Sequence, residues 1–340
     1  MKIEKALAYD DVLLVPQYSD IESRSEVSIG NSLSHKIKLD TPIISAPMDS
    51  VTTADMAIAM AKAGGLGIVH RYNTIEDQTL MVKKALDHVE FVGGAVGVTG
   101  DYLKRASRLS HHGAQVICVD VAHGHHKLVE RALKSIRDML ADSVHIIAGN
   151  VATLEGFNDL ADWGADSIRC NIGGGSICST RVQTGHGVPG LHTIFECARS
   201  DRDANVIADG GIRSAGDAVK ALAVGADFVM LGSMLAGTDE SPGEVIVGVL
   251  NTKTKVYRGM ASKEAQYDWK GKFSSNEGIS TTIPYKGKVA HVLQDLSNGI
   301  RSGLSYSGVR TIGELQAKAK FICQTNAGLF ESRPHILNKK

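Results

Sequence analysis

Eight short apolar segments recur between about residue 40 and residue 235, and helical patterns separate them. Segments of this kind are buried on both faces, and their alternation with amphipathic helices is typical of βαβ units in a parallel sheet. Eight such units within about 200 residues fit a closed (β/α)8 TIM barrel better than an open sheet. We therefore predict an α/β fold of this class. The predicted strands are residues 42–46, 66–69, 92–98, 116–121, 145–148, 167–170, 205–208 and 228–231.

Three helices can be predicted from spacing and stop signals. Residues 53–63 carry Met56 and Met60 at helical spacing and end at Gly64 and Gly65, while residues 214–224 end at Gly225. Glycine after a helix is a common C-terminal signal. A further helix is predicted over residues 289–302, beyond the last strand of the barrel.

Polar or glycine residues follow most of the predicted strands. In a barrel the carboxyl ends of all strands open at one face, and active sites are built there. Any one of these residues could serve only ordinary turn chemistry, so it is their common position that favours a functional site. The residues are Ser45, Asp49, His70, Arg71, Asp120, Gly149, Asn150, Asp209, Gly210, Gly211, Gly232 and Ser233.

The segment NIGGGSICSTR (residues 171–181) places Cys178 at the end of a glycine-rich turn, just after a predicted strand. Glycines let the backbone approach a ligand closely, and their N–H groups can form an anion-binding concavity. A cysteine beside such a turn is a candidate nucleophile held near a bound phosphate ester. The alternative is a tight turn with a buried cysteine, because free cysteine often serves as a small core residue.

Two more glycine turns follow the seventh and eighth strands, at residues 209–213 (DGGIR) and 231–233 (LGS). Phosphate sites of (β/α)8 enzymes often use these two loops together with a helix N-terminus. Ser176 could join them from the cysteine turn. The combination predicts a phosphorylated ligand near Cys178.

Two acidic residues at the same face are candidates for sugar recognition. Asp209 could accept hydrogen bonds from a ribose, and Asp120 from a second ribose such as that of a dinucleotide; the alternative for Asp209 is a turn or helix cap. The sequence HGHH (residues 123–126) suggests a metal, but it lies in one loop without other obvious ligands. No GxGxxG follows the first strand, so a Rossmann cofactor site is not indicated.

The composition excludes several classes of protein. The 37 basic and 37 acidic side chains balance, so no basic surface argues for nucleic acid or an anionic membrane. The N-terminus shows no signal-peptide pattern and no stretch has the length of a membrane span. Five cysteines without metal-type pairing indicate reduced thiols, and we expect a cytoplasmic protein.

Beyond residue 235 the barrel pattern stops. Residues 256–287 are polar, irregular and contain glycine, which predicts a structureless stretch that is either disordered or a functional flap. We expect a single barrel domain over residues 1–340, with a mobile flap at about 261–285 and no second-domain linker.

The chain contains, in order, the motifs YDDVLLVP (residues 9–16), SAPMDSVT (45–52), AGNVAT (148–153), GGGSICSTR (173–181), ADGGIR (208–213), YRGM (257–260) and EG (277–278). On these motifs the chain resembles the IMP dehydrogenase/GMP reductase family nearly from end to end. Several independent motifs occur in the family's order, which makes the resemblance specific. It implies a (β/α)8 barrel that assembles as a homotetramer.

The resemblance also implies residue roles in a reaction on GMP or IMP. Cys178 would attack C2 of the purine to form a covalent thioimidate, while Thr180 and Glu277 would transfer protons. A nicotinamide cofactor would lie beside Asp120, Ala122 and Asn150. Carbonyls of Gly173, Gly175 and Cys178 match those that hold a monovalent cation, such as potassium, in dehydrogenases of the family. The implied nucleotide-binding residues are Ser45, Met48, Ser176, Asp209, Gly211, Gly232, Ser233, Tyr257, Gly259, Met260 and Ala261.

Both family activities use the same covalent intermediate, so the shared motifs do not separate them. Residues 260–277 contain no arginine, whereas dehydrogenases of the family typically carry an Arg-Tyr pair in a long mobile flap. Residues 70–92 run on without a CBS insertion, and residues 183–187 (QTGHG) also favour a reductase. We therefore expect an NADPH-dependent GMP reductase, with NADH or NAD as alternative cofactors. The alternatives are an IMP dehydrogenase without CBS domains, an enzyme acting on a modified purine nucleotide, and an inactive nucleotide-binding scaffold.

Three features oppose the reductase. Asn171 stands where the family usually has glycine, and the residues before Glu277 (Phe273, Ser274, Ser275 and Asn276) lack the Tyr-Arg pair of many reductases. The tail at residues 327–335 (AGLFESRPH) looks more like that of a dehydrogenase.

Overall fold

The computed structural model describes residues 3–273, 276–332 and 334. Eight parallel strands close into a barrel in the order β10-β11-β4-β5-β6-β7-β8-β9, and β9 pairs with β10 to complete the circle. This confirms the predicted (β/α)8 fold. The strands in chain order are β1 (Val12–Leu14), β2 (Asn31–Ser32), β3 (Lys38–Leu39), β4 (Ile43–Ser45), β5 (Leu66–Val69), β6 (Gly93–Val96), β7 (Val116–Asp120), β8 (His145–Val151), β9 (Ser167–Cys170), β10 (Asn205–Asp209), β11 (Phe228–Leu231), β12 (Ile246–Val247), β13 (Lys253–Arg258), β14 (Ser280–Pro284) and β15 (Phe321–Cys323).

Helices follow the barrel strands and cover the outside of the sheet. Gly64 and Gly225 stop α1 and α8 with φ angles of 79° and 124°, as the sequence predicts. The α-helices are α1 (Ala54–Lys62), α2 (Ile75–Leu86), α3 (Tyr102–His111), α4 (Lys127–Leu140), α5 (Leu154–Asp162), α6 (Thr180–Thr184), α7 (Gly190–Cys197), α8 (Ala215–Val224), α9 (Lys263–Lys270), α10 (Val289–Tyr306), α11 (Ile312–Lys318) and α12 (Asn326–Glu331).

All eight predicted strands are confirmed. Those at 66–69, 167–170 and 228–231 have the predicted bounds, and the other five differ only at their ends. Asp120 and Asp209 are the last residues of β7 and β10 rather than the first residues of loops. Gly149 and Asn150 lie inside β8, which continues to Val151 past an irregularity in its register with β9.

Two hydrophobic layers hold the barrel together. One fills the space between the sheet and the helices and contains residues such as Met56, Met60 and Leu222. The other fills the barrel interior, where Phe228 and Met230 pack with Leu33, Ile37 and Leu39 of the β2–β3 hairpin. This hairpin closes the amino-terminal end of the barrel, because the Leu33 carbonyl accepts a hydrogen bond from Asn205 at the start of β10. The carboxyl-terminal end is the mouth.

The prediction of a structureless segment at residues 256–287 is wrong for its described part. β12, β13 and β14 form an antiparallel sheet, and α9 lies between β13 and β14. The sequence does not indicate this sheet, because one face of the sheet is exposed and its strands show little alternation of hydrophobic and polar residues. Ser274 and Ser275, and the tail residues Arg333 and His335, lie outside the described residues.

Candidate active site

The cysteine turn, residues 171–178, leaves β9 at the mouth of the barrel. The Cys178 N–H donates to the Gly175 carbonyl at 3.1 Å, and Gly173 has a φ of 82° that glycine adopts without strain. The Cys178 residue is exposed rather than buried in the core. It borders a cavity of about 440 Å³, which is the size of a small-molecule site.

A hydrogen-bonded path leads away from the thiol. The Cys178 Sγ donates to the Thr180 Oγ1 at 3.1 Å, and the Thr180 hydroxyl donates to the Glu277 Oε2 at 2.9 Å. Backbone contacts hold the two segments together, since the Ser179 N–H donates to the Glu277 carbonyl at 2.9 Å and Cys178 pairs with Gly278 in an isolated β-bridge. The nucleophile candidate is thus linked to a carboxylate about a hundred residues away in sequence.

The candidate phosphate loops converge on one buried phenol. The Tyr257 hydroxyl forms hydrogen bonds with Ser176 of the cysteine turn and Ser233 after β11, and burial raises the pKa of Tyr257 to about 12. A Cβ on Gly232 would lie 3.0 Å from the Tyr257 hydroxyl and 3.1 Å from the Met48 Sδ, so a side chain there would close this space. Three segments distant in sequence therefore meet at one polar end of the cavity.

Asp209 and Asp120 do not face the cavity as free carboxylates. Arg169, an inward residue of β9 that the sequence analysis missed, pairs with the Asp120 Oδ1 at 2.6 Å and the Asp209 Oδ2 at 2.8 Å. Asn150 donates to the same Asp209 oxygen at 2.8 Å, and Arg71 approaches the Asp120 Oδ2 at 3.4 Å. The two arginines lower the pKa of Asp120 despite its burial, which by itself raises it.

Arg169 could have been found from its position. It is the one charged residue in the predicted strand 167–170, and a charged residue buried inside a barrel requires a partner of opposite charge.

A further wall of the cavity comes from β13, α9 and the loop after β4. Arg258 pairs with Asp49 at 2.8 Å and with Asp268 of α9 at 2.5 Å. The Tyr72 hydroxyl donates to the Met260 carbonyl at 2.9 Å, and its ring stacks on Trp269 at 5.8 Å between centroids. These contacts hold α9 against the mouth.

Asp49, His70 and Gly149, which the sequence places at the mouth without a further role, do not line this cavity. All but one of the residues with a predicted catalytic, nucleotide, cofactor or cation role line it. The exception is Ser45, which is fully buried behind the wall and accepts a hydrogen bond from Thr52 at 2.9 Å. The residues that line the cavity are Met48, Asp120, Ala122, Asn150, Gly173, Gly175, Ser176, Cys178, Thr180, Asp209, Gly211, Gly232, Ser233, Tyr257, Gly259, Met260, Ala261 and Glu277.

The histidine loop lies away from these contacts. The His125 Nε2 is 2.7 Å from the Asp159 Oδ2, and its ring lies against Trp163. Within residues 3–273, 276–332 and 334, no group of three or more His, Cys, Asp or Glu side chains is arranged to hold a metal ion. None of the helices in those residues combines the length and apolar character needed to cross a membrane.

Comparisons with known proteins agree with this geometry. The sequence profile of the IMP dehydrogenase / GMP reductase domain matches residues 6–335. The chain belongs to the IMP dehydrogenase/GMP reductase family. Its fold is similar to that of a GMP reductase from Trypanosoma brucei in complex with guanosine 5'-monophosphate, with a TM-score of 0.92, 32% identity and coverage of 98% of both chains.

Named relatives in sequence carry both activities. The chain is 35% identical to the inosine-5'-monophosphate dehydrogenase of Nitrosopumilus maritimus, over 98% of this chain and 99% of the relative. It is 32% identical to the GMP reductase of Leishmania donovani, over 99% of this chain and 98% of the relative. Both names denote oxidoreductases, and the chain is an enzyme of that class.

Proposed function

We propose that the chain is a GMP reductase, which converts GMP to IMP and ammonia with NADPH as the hydride donor. The observation that carries the proposal is the path from Cys178 through Thr180 to Glu277 at the cavity, with contacts of 3.1 Å and 2.9 Å. A thiol next to a hydroxyl and a carboxylate can form a covalent bond while protons move through the adjacent groups.

In the first half of the reaction, the Cys178 sulfur adds to C2 of the purine. The C2–S bond forms, the bond from C2 to the exocyclic nitrogen breaks, and the thiol proton leaves with ammonia. Thr180 and Glu277 transfer that proton to the departing amine. In the second half, a hydride adds to C2, the C2–S bond breaks, and the thiolate takes a proton from solvent.

The nucleotide is oriented by its phosphate and ribose. Ser176 and Ser233, each hydrogen-bonded to the Tyr257 hydroxyl, would receive the 5'-phosphate together with that hydroxyl and the backbone of Gly211 and Gly232. Asn150 and Arg169 donate their hydrogen bonds to the Oδ2 of Asp209. We therefore assign the Oδ1 to a ribose hydroxyl. Met48, Gly259, Met260 and Ala261 would flank the base, and Ser45 would support the wall behind it.

The cofactor side of the cavity fits an anionic dinucleotide. Asp120, Ala122 and Asn150 line it, and the side chains of Arg71 and Lys270 add positive charge that suits phosphate groups. Bound NADPH would supply the hydride. Because Asp120 is paired with Arg169 and Arg71, its part would be to hold these arginines in place as well as to face the cofactor.

The flap favours the reductase over the dehydrogenase. Residues 260–277 contain no arginine, and Arg258 is engaged by Asp49 and Asp268, so no guanidinium in the flap is free to activate water. An IMP dehydrogenase remains the second candidate, because relatives with that name reach 35–38% identity against 32% for the GMP reductases.

Three further assignments rest on the family resemblance. We infer a single barrel domain, a homotetramer, and a monovalent cation at the carbonyls of Gly173, Gly175 and Cys178. The Gly175 carbonyl already accepts a hydrogen bond from the Cys178 N–H, which leaves its second lone pair for a cation.

One assay tests the activity. Purified protein is given GMP with NADPH or NADH, and separately IMP with NAD, while nicotinamide absorbance and released ammonia are followed. We expect absorbance to fall only with GMP, with one ammonia released per hydride consumed. A rise with IMP and NAD, without turnover of GMP, would identify the dehydrogenase instead. Nucleotide binding without turnover of either substrate would indicate the scaffold.

A further inference from the structure

Asn171 opens the cysteine turn with a backbone that suits glycine. Its φ is 145°, a conformation that residues with a side chain rarely adopt. Both of its backbone polar groups are satisfied, since its N–H donates to the Val151 carbonyl at 2.8 Å and its carbonyl accepts from Asn150 at 3.0 Å. Glycine would make the same backbone contacts with less strain, so the reason for an asparagine lies in its side chain.

The side chain joins two loops of the active site. It is buried, and its Nδ2 donates to the Asp209 carbonyl at 3.0 Å and the Gly210 carbonyl at 3.2 Å. The reverse amide orientation would put an oxygen against two carbonyl oxygens, so the contacts determine which atom is which. The amide therefore links the start of the cysteine turn to residues 209–211, the loop that carries candidate ribose-binding and phosphate-binding residues.

Gly174 provides the room for this amide. A Cβ on Gly174 would lie 2.2 Å from the Asn171 Nδ2 and 2.7 Å from its Oδ1, so no side chain at 174 is compatible with the observed position of Asn171. Gly174 is not among the described glycines with positive φ, so space rather than backbone conformation requires a glycine there. The two residues form a matched pair.

This arrangement has a cost for stability. The Asn171 Oδ1 is buried and has no hydrogen-bond partner in the described structure, and such an atom destabilises the folded state. Strain and an unsatisfied oxygen at a residue that lines the cavity are typical of a functional site.

We propose that Asn171 is a positioning residue that fixes the cysteine turn relative to the Asp209–Gly210 loop, and that Gly174 is the partner that admits it. The Cys178 sulfur would then be held at a set distance from a nucleotide anchored by its ribose and phosphate. The proposal rests on the proposed role of Cys178 as nucleophile, but not on the direction of the reaction.

The first test compares Asn171→Gly and Asn171→Ala with Asn205→Ala. Asn205 also donates two hydrogen bonds, at 2.8 Å to the Leu33 carbonyl and 3.1 Å to the Ser167 hydroxyl, but at the other end of the barrel. Since misplacement by about 1 Å can lower a rate about 100-fold, we expect both Asn171 variants to lose about 10- to 100-fold in kcat. Nucleotide affinity by calorimetry and the alkylation rate of Cys178 should stay close to those of the wild type. Asn205→Ala should lower the melting temperature but keep its kcat.

The second test is a double-mutant cycle. Gly174→Ala should lower kcat strongly in the wild-type background and have little further effect beside Asn171→Gly, where the methyl group has room. Equal effects of Gly174→Ala in both backgrounds would contradict the matched pair.

The outcomes separate this inference from the proposed function. If the Asn171 variants keep wild-type kcat while Cys178→Ala is inactive, the positioning role is wrong and the nucleophile stands. A parallel loss of kcat, affinity and melting temperature in the Asn171 variants would make Asn171 a structural residue and also overturn the proposal. If Cys178→Ala keeps normal turnover, the proposed mechanism fails and this inference fails with it.

Discussion

The base of the barrel, where β8, β9 and β10 begin, contains buried polar side chains that satisfy one another. The His145 ring lies 2.7 Å from the Ser167 hydroxyl, and that hydroxyl also accepts a hydrogen bond from Asn205. Asp227 accepts from the Val206 N–H at 2.8 Å. Most buried polar groups in native proteins are paired in this way, which makes this end a stable foundation.

The mouth differs in this respect. Each of the three buried side-chain atoms without a hydrogen-bond partner in the described structure belongs to a residue that follows a barrel strand there: the Asp49 Oδ1, the His70 Nδ1 and the Asn171 Oδ1. The same end has the glycine turns and the cavity. The described residues thus keep their unsatisfied buried polar atoms at the end that carries the cavity and complete their hydrogen bonds at the other end.

The largest contrast in turnover is expected between variants of two exposed cysteines, Cys178 and Cys323. Because covalent attack requires the sulfur, Cys178→Ala should lower turnover by at least roughly 10³-fold while nucleotide still binds. Cys323 is also exposed but lies on β15, so Cys323→Ala is the matched control and should keep full activity. Normal turnover of Cys178→Ala would exclude the covalent mechanism.

Alkylation extends this contrast to the barrel interior. Burial raises the pKa of the Cys118 thiol to about 12, so it has almost no reactive thiolate near neutral pH. Brief treatment with iodoacetamide and mass spectrometry should find Cys178 labelled and Cys118 unlabelled, with protection of Cys178 by GMP. Labelling of Cys178 that GMP does not affect would separate the thiol from the nucleotide site.

Removal of the proposed proton donor, Glu277, should have the next largest effect on turnover. Glu277→Gln keeps the size of the side chain and its contact with Thr180 but removes the ionisable group, and general acid catalysis is worth about 10²–10⁴-fold. We expect kcat to fall within that range while nucleotide affinity changes little. Single-turnover measurement of ammonia release should show that this first step is slowed. Unchanged release would remove Glu277 from the acid role.

Two arginines provide a comparison of stability between the two ends. Arg169 at the mouth is 8% exposed between Asp120 and Asp209, whereas Arg137 at the base is 21% exposed and pairs with Asp166, which is 39% exposed. Arg169→Met leaves buried Asp209 without a cation and Asp120 with only the 3.4 Å contact to Arg71, and should cost about 3–5 kcal/mol of unfolding free energy. Arg137→Met should cost about 1 kcal/mol, because water reaches Asp166.

Urea unfolding measures both arginine variants. If Arg169→Met does not fold, a variant that also carries Asp120→Asn and Asp209→Asn removes the unpaired charges and should recover part of the stability. Equal costs for Arg169→Met and Arg137→Met would contradict the contrast between mouth and base.

The sequence predicts the barrel well because each strand is a short apolar segment with its own stop signals. It predicts the identity of the mouth residues for a similar reason, since the ends of parallel strands meet at one face. It does not show that Arg169 engages both Asp120 and Asp209, because that contact depends on the inward direction of one side chain in a closed barrel. The sequence does not indicate the sheet of β12, β13 and β14, because the two buried side chains of β13 are Lys255 and Tyr257 and no clear hydrophobic alternation results.

The effect that is smallest at neutral pH concerns two buried histidines, one at each end of the barrel. Burial lowers the pKa of His70 at the mouth and of His145 at the base from 6.5 to about 4. Because each folded-state pKa lies below the unfolded value, the unfolded chain binds protons first as the pH falls. Each histidine therefore costs no stability above about pH 6.5 and removes about 1.4 kcal/mol per pH unit between about 6.5 and 4.

Urea unfolding across that pH range, with His70→Gln and His145→Gln, measures the two contributions. Each variant should have a shallower loss of stability toward acid than the wild type, and the exposed His291→Gln serves as the control. Of the two histidines, GMP should alter the contribution of His70 and not that of His145, because His145 lies at the far end of the barrel from the cavity. A ligand effect that persists in His70→Gln and disappears in His145→Gln would mean that the mouth and the base are coupled, contrary to the separation that the structure indicates.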